Sequence, residues 1–200
     1  FSLPTMSDLK CADSQSNEIA NKPLPDGYAF YKSVGSPKFI CAPMVEQSEL
    51  PFRLLCRDYN IPLCYSPMIN GKHFVLHPKY AKSVFQTCPT DRPLIAQLCG
   101  HNPDDVLAAA LKIQHQVDAV DLNFGCPQHI ARRGNYGAFL LTQVDTMCAL
   151  VHKLHTNLSI PVCAKIRVVK DEAETLRICR LLRQNGVSIL TVHGRTIDAK

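Results

Sequence analysis

Asp121-Leu122-Asn123-Phe124-Gly125-Cys126-Pro127 places a thiol on a tight turn at the end of a short apolar run. An unperturbed thiol has a pKa near ~8.5, so at neutral pH it keeps a proton it can still release. Cys126 therefore has the chemistry of a working acid or nucleophile. Asn123 offers an amide donor and acceptor to a ligand, or caps the turn with its own side chain, and both readings stay open. Lys165 sits near the end of a second apolar run, where a charge needs a partner. Arg167 follows it, either as an anion ligand or as a solvated residue at a strand end. Gln97 ends another apolar run with a buried amide, and His193 ends a further one, with Arg195 at the same tip. A lone histidine in such a place is often a satisfied structural residue. Arg132 and Arg133 follow Cys126 closely, as phosphate contacts or as a solvated basic loop.

These residues need elements to hold them, and the hydrophobic pattern supplies a candidate set. Strands are expected over 39–44, 63–66, 94–98, 119–122, 162–167 and 189–193, each a short continuous apolar run. Helices are expected over 48–59 with Ser48 as N-cap, from Pro103 to about 116 with Asn102 as N-cap, around Met147, Leu150, Val151 and Leu154, and from Asp171 to a stop at Asn185-Gly186. Gly134 and Gly137 are expected at a backbone bend after the Cys126 turn.

Strands that are apolar throughout and alternate with helices indicate a parallel α/β protein with both sheet faces covered. A doubly wound dinucleotide fold needs a glycine-rich turn after its first strand, and Pro43-Met44-Val45-Glu46 stands there instead. The expected architecture is a (β/α)8 TIM-type barrel, incomplete, with about six βα units present. Catalytic groups in such barrels sit at the C-terminal ends of the strands, where the residues above fall.

The chain has 200 residues, 46% hydrophobic and 20% charged, an ordinary balance for one globular domain. Residues 1–37 are polar and proline-bearing and read as a flexible or loosely docked extension; 38–200 read as the partial barrel. The start at Phe1 suggests a fragment or a processed chain, and no signal peptide or transmembrane run is recognised. Twenty-two Lys and Arg against 17 Asp and Glu give a net charge of +5, which permits a polyanionic partner without demanding one. The 10 cysteines form no C-x-x-C pair, so no metal is expected, and most read as small buried hydrophobes of a reducing compartment. A cytoplasmic protein is expected, with the nucleus as the alternative.

Six motifs carry a resemblance. They are Ala42-Pro43-Met44, Gln97-Leu98-Cys99-Gly100, Asn123-Phe124-Gly125-Cys126-Pro127, Gly134 with Gly137-Ala138, Lys165-Ile166-Arg167 and His193-Gly194-Arg195-Thr196. In this order they resemble the tRNA-dihydrouridine synthase family over about residues 39 to 196. The runs from Ala42 to Leu50 and from Arg132 to Phe139 look most like the eukaryotic branch acting at tRNA positions sixteen and seventeen. The resemblance implies a barrel followed by a helical RNA-binding domain, with the last strands and that domain absent here. It implies FMN as cofactor, NADPH or NADH as reductant, and tRNA as partner. It implies uridine reduction by hydride from flavin N5 to C6 of the base and a proton from Cys126 to C5. Pro43, Met44, Gln97, Lys165, His193 and Arg195 would then contact flavin, and Asn123, Arg167, Arg132 and Arg133 the RNA. Two other readings remain: a truncated, non-catalytic barrel fragment, and another flavin barrel oxidoreductase acting on a small pyrimidine, such as a dihydroorotate dehydrogenase.

Overall fold

The computed structural model describes residues 22–199. Among them lie seven parallel strands in one sheet: β1 (Ile40–Cys41), β2 (Leu63–Tyr65), β3 (Ile69–Asn70), β4 (Leu94–Cys99), β5 (Ala119–Phe124), β6 (Val162–Arg167) and β7 (Val187–His193). The order is β1-β2-β4-β5-β6-β7, with β3 paired to the far end of β4. Every pairing is parallel, and helices link the strands, as in an incomplete TIM-type barrel.

The alternation of side chains along each strand splits the sheet into two faces. Leu98, Leu122, Ala164 and Ile166 join an outer core with helices α5 (Pro103–Ile113), α7 (Val144–Asn157) and α8 (Glu172–Gln184). Val106, Ala110 and Ile113 form the inward stripe of α5, and Met147, Leu150, Val151 and Leu154 that of α7. Asn102 caps α5 by accepting from the backbone N–H groups of Asp104 and Asp105, with Pro103 in the first turn. Asp171 caps α8 by accepting from the Ala173 N–H.

The inner face closes at its lower end on a helix within the segment expected to be a loose extension. Residues 1–21 of that segment lie outside the described residues. In 22–37, α1 (Gly27–Ser33) is capped by Asp26, and Phe30 and Val34 pack with Leu63, Tyr65, Ile95, Ala119, Cys163 and Ile189. Gly27 lies so close to β7 that a Cβ there would fall 2.0 Å from the Ser188 carbonyl oxygen, an approach only glycine permits. Lys22 donates to the Leu158 carbonyl at 2.6 Å, and Arg183 to that of Pro25 at 3.0 Å. These residues are docked because the lower end of the inner face is apolar and otherwise faces water.

Other elements differ from expectation. The first strand spans only Ile40–Cys41, because the chain turns at Pro43. Helix α2 (Leu50–Asp58) follows Glu49, while Ser48 is fully buried and its hydroxyl bonds the Met44 backbone. The stretch between β2 and β4 holds β3, α3 (Gly71–Leu76) and α4 (Pro78–Val84), all too short to show a clear period. A buried ion pair, Arg53 to Asp91 at 2.6 Å, ties this stretch to α2.

Candidate active site

Above the apolar floor, the same inner positions of the strands turn polar. They carry Gln97 on β4, Asp121 and Asn123 on β5, Lys165 and Arg167 on β6, and Thr191 and His193 on β7. Register places Gln97 beside Asp121, and Asn123 beside Lys165. The strand ends thus bring together residues far apart in the chain without any loop having to reach.

A chain of hydrogen bonds runs upward from the floor to the thiol. The Gln97 side chain donates from Nε2 to Asp121 Oδ2 at 2.8 Å. Its Oε1 accepts from Asn123 Nδ2 at 2.7 Å. Asn123 Oδ1 then accepts from the backbone N–H groups of Gly125 at 3.0 Å and Cys126 at 2.9 Å. The turn-capping alternative for Asn123 is thus the one the geometry realises, leaving one N–H of its amide uncommitted. The turn is held from its other side too. Arg167 donates from Nε to the Gly125 carbonyl at 2.7 Å and from Nη1 to that of Thr196 at 2.8 Å. Arg167 is therefore a largely buried brace rather than a solvated strand-end residue. The Cys126 carbonyl accepts from the Ala138 N–H at 3.0 Å, and Gly137 makes that contact possible with φ 69°. Gly134, with φ −86°, carries no such bend.

Charge at the site is unevenly satisfied. Asp121 is fully buried and its Oδ1 has no hydrogen-bond partner among the described residues. Burial pushes its carboxyl up to about 7, against the pull of the Gln97 bond and the Lys165 charge. Lys165 is half-buried, and its ammonium has no hydrogen bond or ion pair among the described residues. Burial lowers its pKa, Asp121 raises it and Arg167 lowers it. Burial also lowers the pKa of His193, and the cations Lys165, Arg167 and Arg195 add to that shift. No carboxylate is among the groups that act on His193, so this corner suits an anion.

These side chains open into a cleft of about 310 Å³, within the roughly 300–1,000 Å³ usual for small-molecule sites. Pro43, Met44, Gln97, Asn123, Cys126, Lys165 and Arg167 all line it. Behind Cys126 lies a small apolar cluster of Cys99, Ala131 and Tyr136, with Met68 and Phe139 against it. His193 and Arg195 stand at the neighbouring strand end without lining the cleft. Arg133 lines a second hollow of about 700 Å³, joined to the cleft by the shared residues Val45, Met68 and Gln128. Arg132, on the short helix α6 (His129–Arg133), is exposed and lines neither.

Residues 40–200 match the family model described as dihydrouridine synthase. The chain belongs to the dihydrouridine synthase family. It is 47% identical, over 91% of its length, to a tRNA-dihydrouridine(16/17) synthase [NAD(P)(+)] of Schizosaccharomyces pombe, covering 46% of that protein. It is 44% identical over 89% of its length to a tRNA-dihydrouridine(16/17) synthase [NAD(P)(+)]-like protein of Rattus norvegicus, covering 41% of it. A tRNA-dihydrouridine(20a/20b) synthase [NAD(P)+]-like protein of Mus musculus is 36% identical over 94% of this chain and 59% of its own length. The chain thus spans about half the length of these relatives.

Sequence reasoning assigns no role to Asp121, Ser66 or the Met68–Tyr136 backing of the thiol. Asp121 has a legible signal: it shares a strand face with Asn123, two residues on, in an otherwise apolar run. Ser66 has none. Its hydroxyl accepts from the Gln97 backbone N–H at 3.0 Å, a contact across two strands that no local pattern encodes.

Proposed function

We propose that this chain is catalytic-barrel sequence of a tRNA-dihydrouridine synthase that reduces uridine at positions 16 and 17 of tRNA, using FMN and NADPH or NADH. The observation that carries the reading is the convergence of Cys126, Gln97 and Lys165 on one cleft in a member of the dihydrouridine synthase family. The relatives named for the 16/17 positions, at 47% and 44% identity, support the choice of nucleotide, and the NAD(P) in their names supports the reductant.

The residues present fit a flavin. Lys165 is a half-buried cation without a partner among the described residues, suited to a ring that becomes anionic on reduction. Gln97 offers an amide, and Pro43 and Met44 an apolar wall. His193 and Arg195 lie in the cationic corner that suits a phosphate. These residues would hold FMN, which when bound would supply the hydride needed at uracil C6. Addition across C5=C6 also needs one proton, and the Cys126 thiol delivers it to C5, becoming a thiolate that solvent reprotonates. Arg167, Asn123 and the Ala138 N–H fix the turn so that the thiol stays at the cleft wall. The larger hollow, with Lys72, His73, His101 and Arg133 on its rim, gives the adjoining nucleotides a path out of the cleft.

Two measurements test this together. Titration of the chain with FMN is expected to reach one flavin per chain. Incubation with FMN, NADPH and unmodified tRNA is expected to form dihydrouridine at positions 16 and 17. A chain that binds no flavin and leaves tRNA unchanged would overturn the proposal.

A further inference from the structure

We infer that Asp121 is a positioning residue for Cys126, acting through the side chains of Gln97 and Asn123 as the terminal acceptor of a one-way hydrogen-bond relay. The polarity of the relay is set at the turn. The backbone N–H groups of Gly125 and Cys126 both point at one atom of Asn123, and they accept nothing, so that atom must be an oxygen. The amide nitrogen of Asn123 must then face Gln97 and needs an acceptor there. Gln97 therefore presents its oxygen to Asn123 and its nitrogen downward. What lies below has to accept a hydrogen bond, because Gln97 is 1% exposed and bulk water cannot serve instead. Asp121 meets that requirement with Oδ2 at 2.8 Å.

Two amides in series thus carry a polarity fixed at both ends. Reversing either amide sets donor against donor at one junction and acceptor against acceptor at the other. A buried carboxyl is a costly choice at such a place, and Asp121 has the further cost of an Oδ1 with no partner among the described residues. An apolar residue would pack there more cheaply, as Ile95 and Cys163 do on the neighbouring strands. The relay supplies the reason for an acceptor there: it orients the amides that hold the turn. Lys165 faces the same carboxyl from β6 and Tyr65 approaches from β2, and neither replaces it as the acceptor for Gln97.

This inference rests on the reading of Cys126 as the proton donor only for its catalytic meaning. Its test reads the turn directly, through backbone amide hydrogen exchange of Gly125 and Cys126 in the cofactor-free chain. Asp121→Leu, of similar size, removes the acceptor that Gln97 donates to and is expected to cost more than tenfold in protection at both amides. The double variant Gln97→Glu with Asp121→Asn exchanges the carboxyl and the amide between the two strands. The amide introduced on β5 then donates up into the carboxylate introduced on β4. The second oxygen of that carboxylate still accepts from Asn123, and protection is expected to stay within threefold of the native chain. Asp121→Asn alone keeps an acceptor for Gln97 and is expected to stay within threefold. Should Asp121→Leu fail to fold, Asp121→Val carries the test, since a merely space-filling role is met by an apolar side chain of similar size and predicts no loss. Unchanged protection in these apolar variants, or a folded double variant whose protection falls more than threefold, would overturn the inference. Turnover of unmodified tRNA by the FMN-loaded chain separates the two claims. Turnover absent from the native chain as well would count against the proposed function, while amide protection would still decide the relay.

Discussion

The lower and upper halves of the barrel interior are built from the same strands at positions of the same parity, and they have opposite characters. Below, Leu63, Ile95, Ala119, Cys163 and Ile189 meet Phe30 and Val34 of α1 in a dry layer. Above, two residues further along β4, β5, β6 and β7, stand the polar or charged side chains of Gln97, Asp121, Lys165 and Thr191. The difference teaches that this sheet assigns function by height rather than by strand. The lower layer pins the strands through burial, and the upper layer uses that rigidity to hold polar groups whose positions no burial alone would fix.

If the halves are separable in this way, damage to each should read out differently. The largest effect is expected at the top. Cys126→Ala should lower dihydrouridine formation by about 10²–10⁴, the usual worth of a positioned proton donor, with flavin binding retained. Rate and flavin titration on the same preparation check this, and equal losses of both would blur the separation. Leu63→Ala, in the bottom layer, should cost about 2–5 kcal/mol of stability in urea unfolding and leave KM for tRNA close to native.

The boundary between the layers should titrate. The Asp121 carboxyl holds its proton up to about 7 in the folded chain, whereas an unfolded aspartic acid releases it near ~3.9. Between those values the folded chain binds a proton that the unfolded chain has lost. Stability is therefore full below that window, falls as pH rises through it by about 1.4 kcal/mol per unit at most, and is level above it. Urea midpoints from pH 4 to 8 should show this slope, and Asp121→Asn should flatten it. The smallest effect is expected on the rim, outside both layers. Arg133→Ala should weaken tRNA binding modestly and reduce the salt dependence, log affinity against log salt, by about 1. A large loss of catalytic rate there would mean that the hollow reaches the thiol.

The contrast between layers also explains what could be read from the sequence. The strands over 94–99, 119–124 and 162–167 are legible because their outer face against the helices is apolar throughout. Cys126, Asn123, Gln97 and Lys165 are legible as polar residues closing such runs, and the structure gathers them into one cleft. The direction of the relay is not legible, because it depends on partners 24 and 26 residues apart that meet only across paired strands. Helix α1 is illegible for a related reason. Its seven residues are too few to show a helical period, and what orders them is the underside of a sheet formed far along the chain. Arg167 reads as a ligand or a solvated end from its position alone; only the carbonyls of Gly125 and Thr196 reveal it as a strut.

The docking of α1 on β7 has a consequence for the order of events in biosynthesis. The bond from Arg183 to the Pro25 carbonyl spans 158 residues, and Gly27 abuts Ser188. A growing polypeptide thus releases these residues early and cannot complete their berth until the stretch around residue 188 leaves the ribosome. Until that moment the underside of the nascent sheet is greasy and bare, a surface for chaperones to guard.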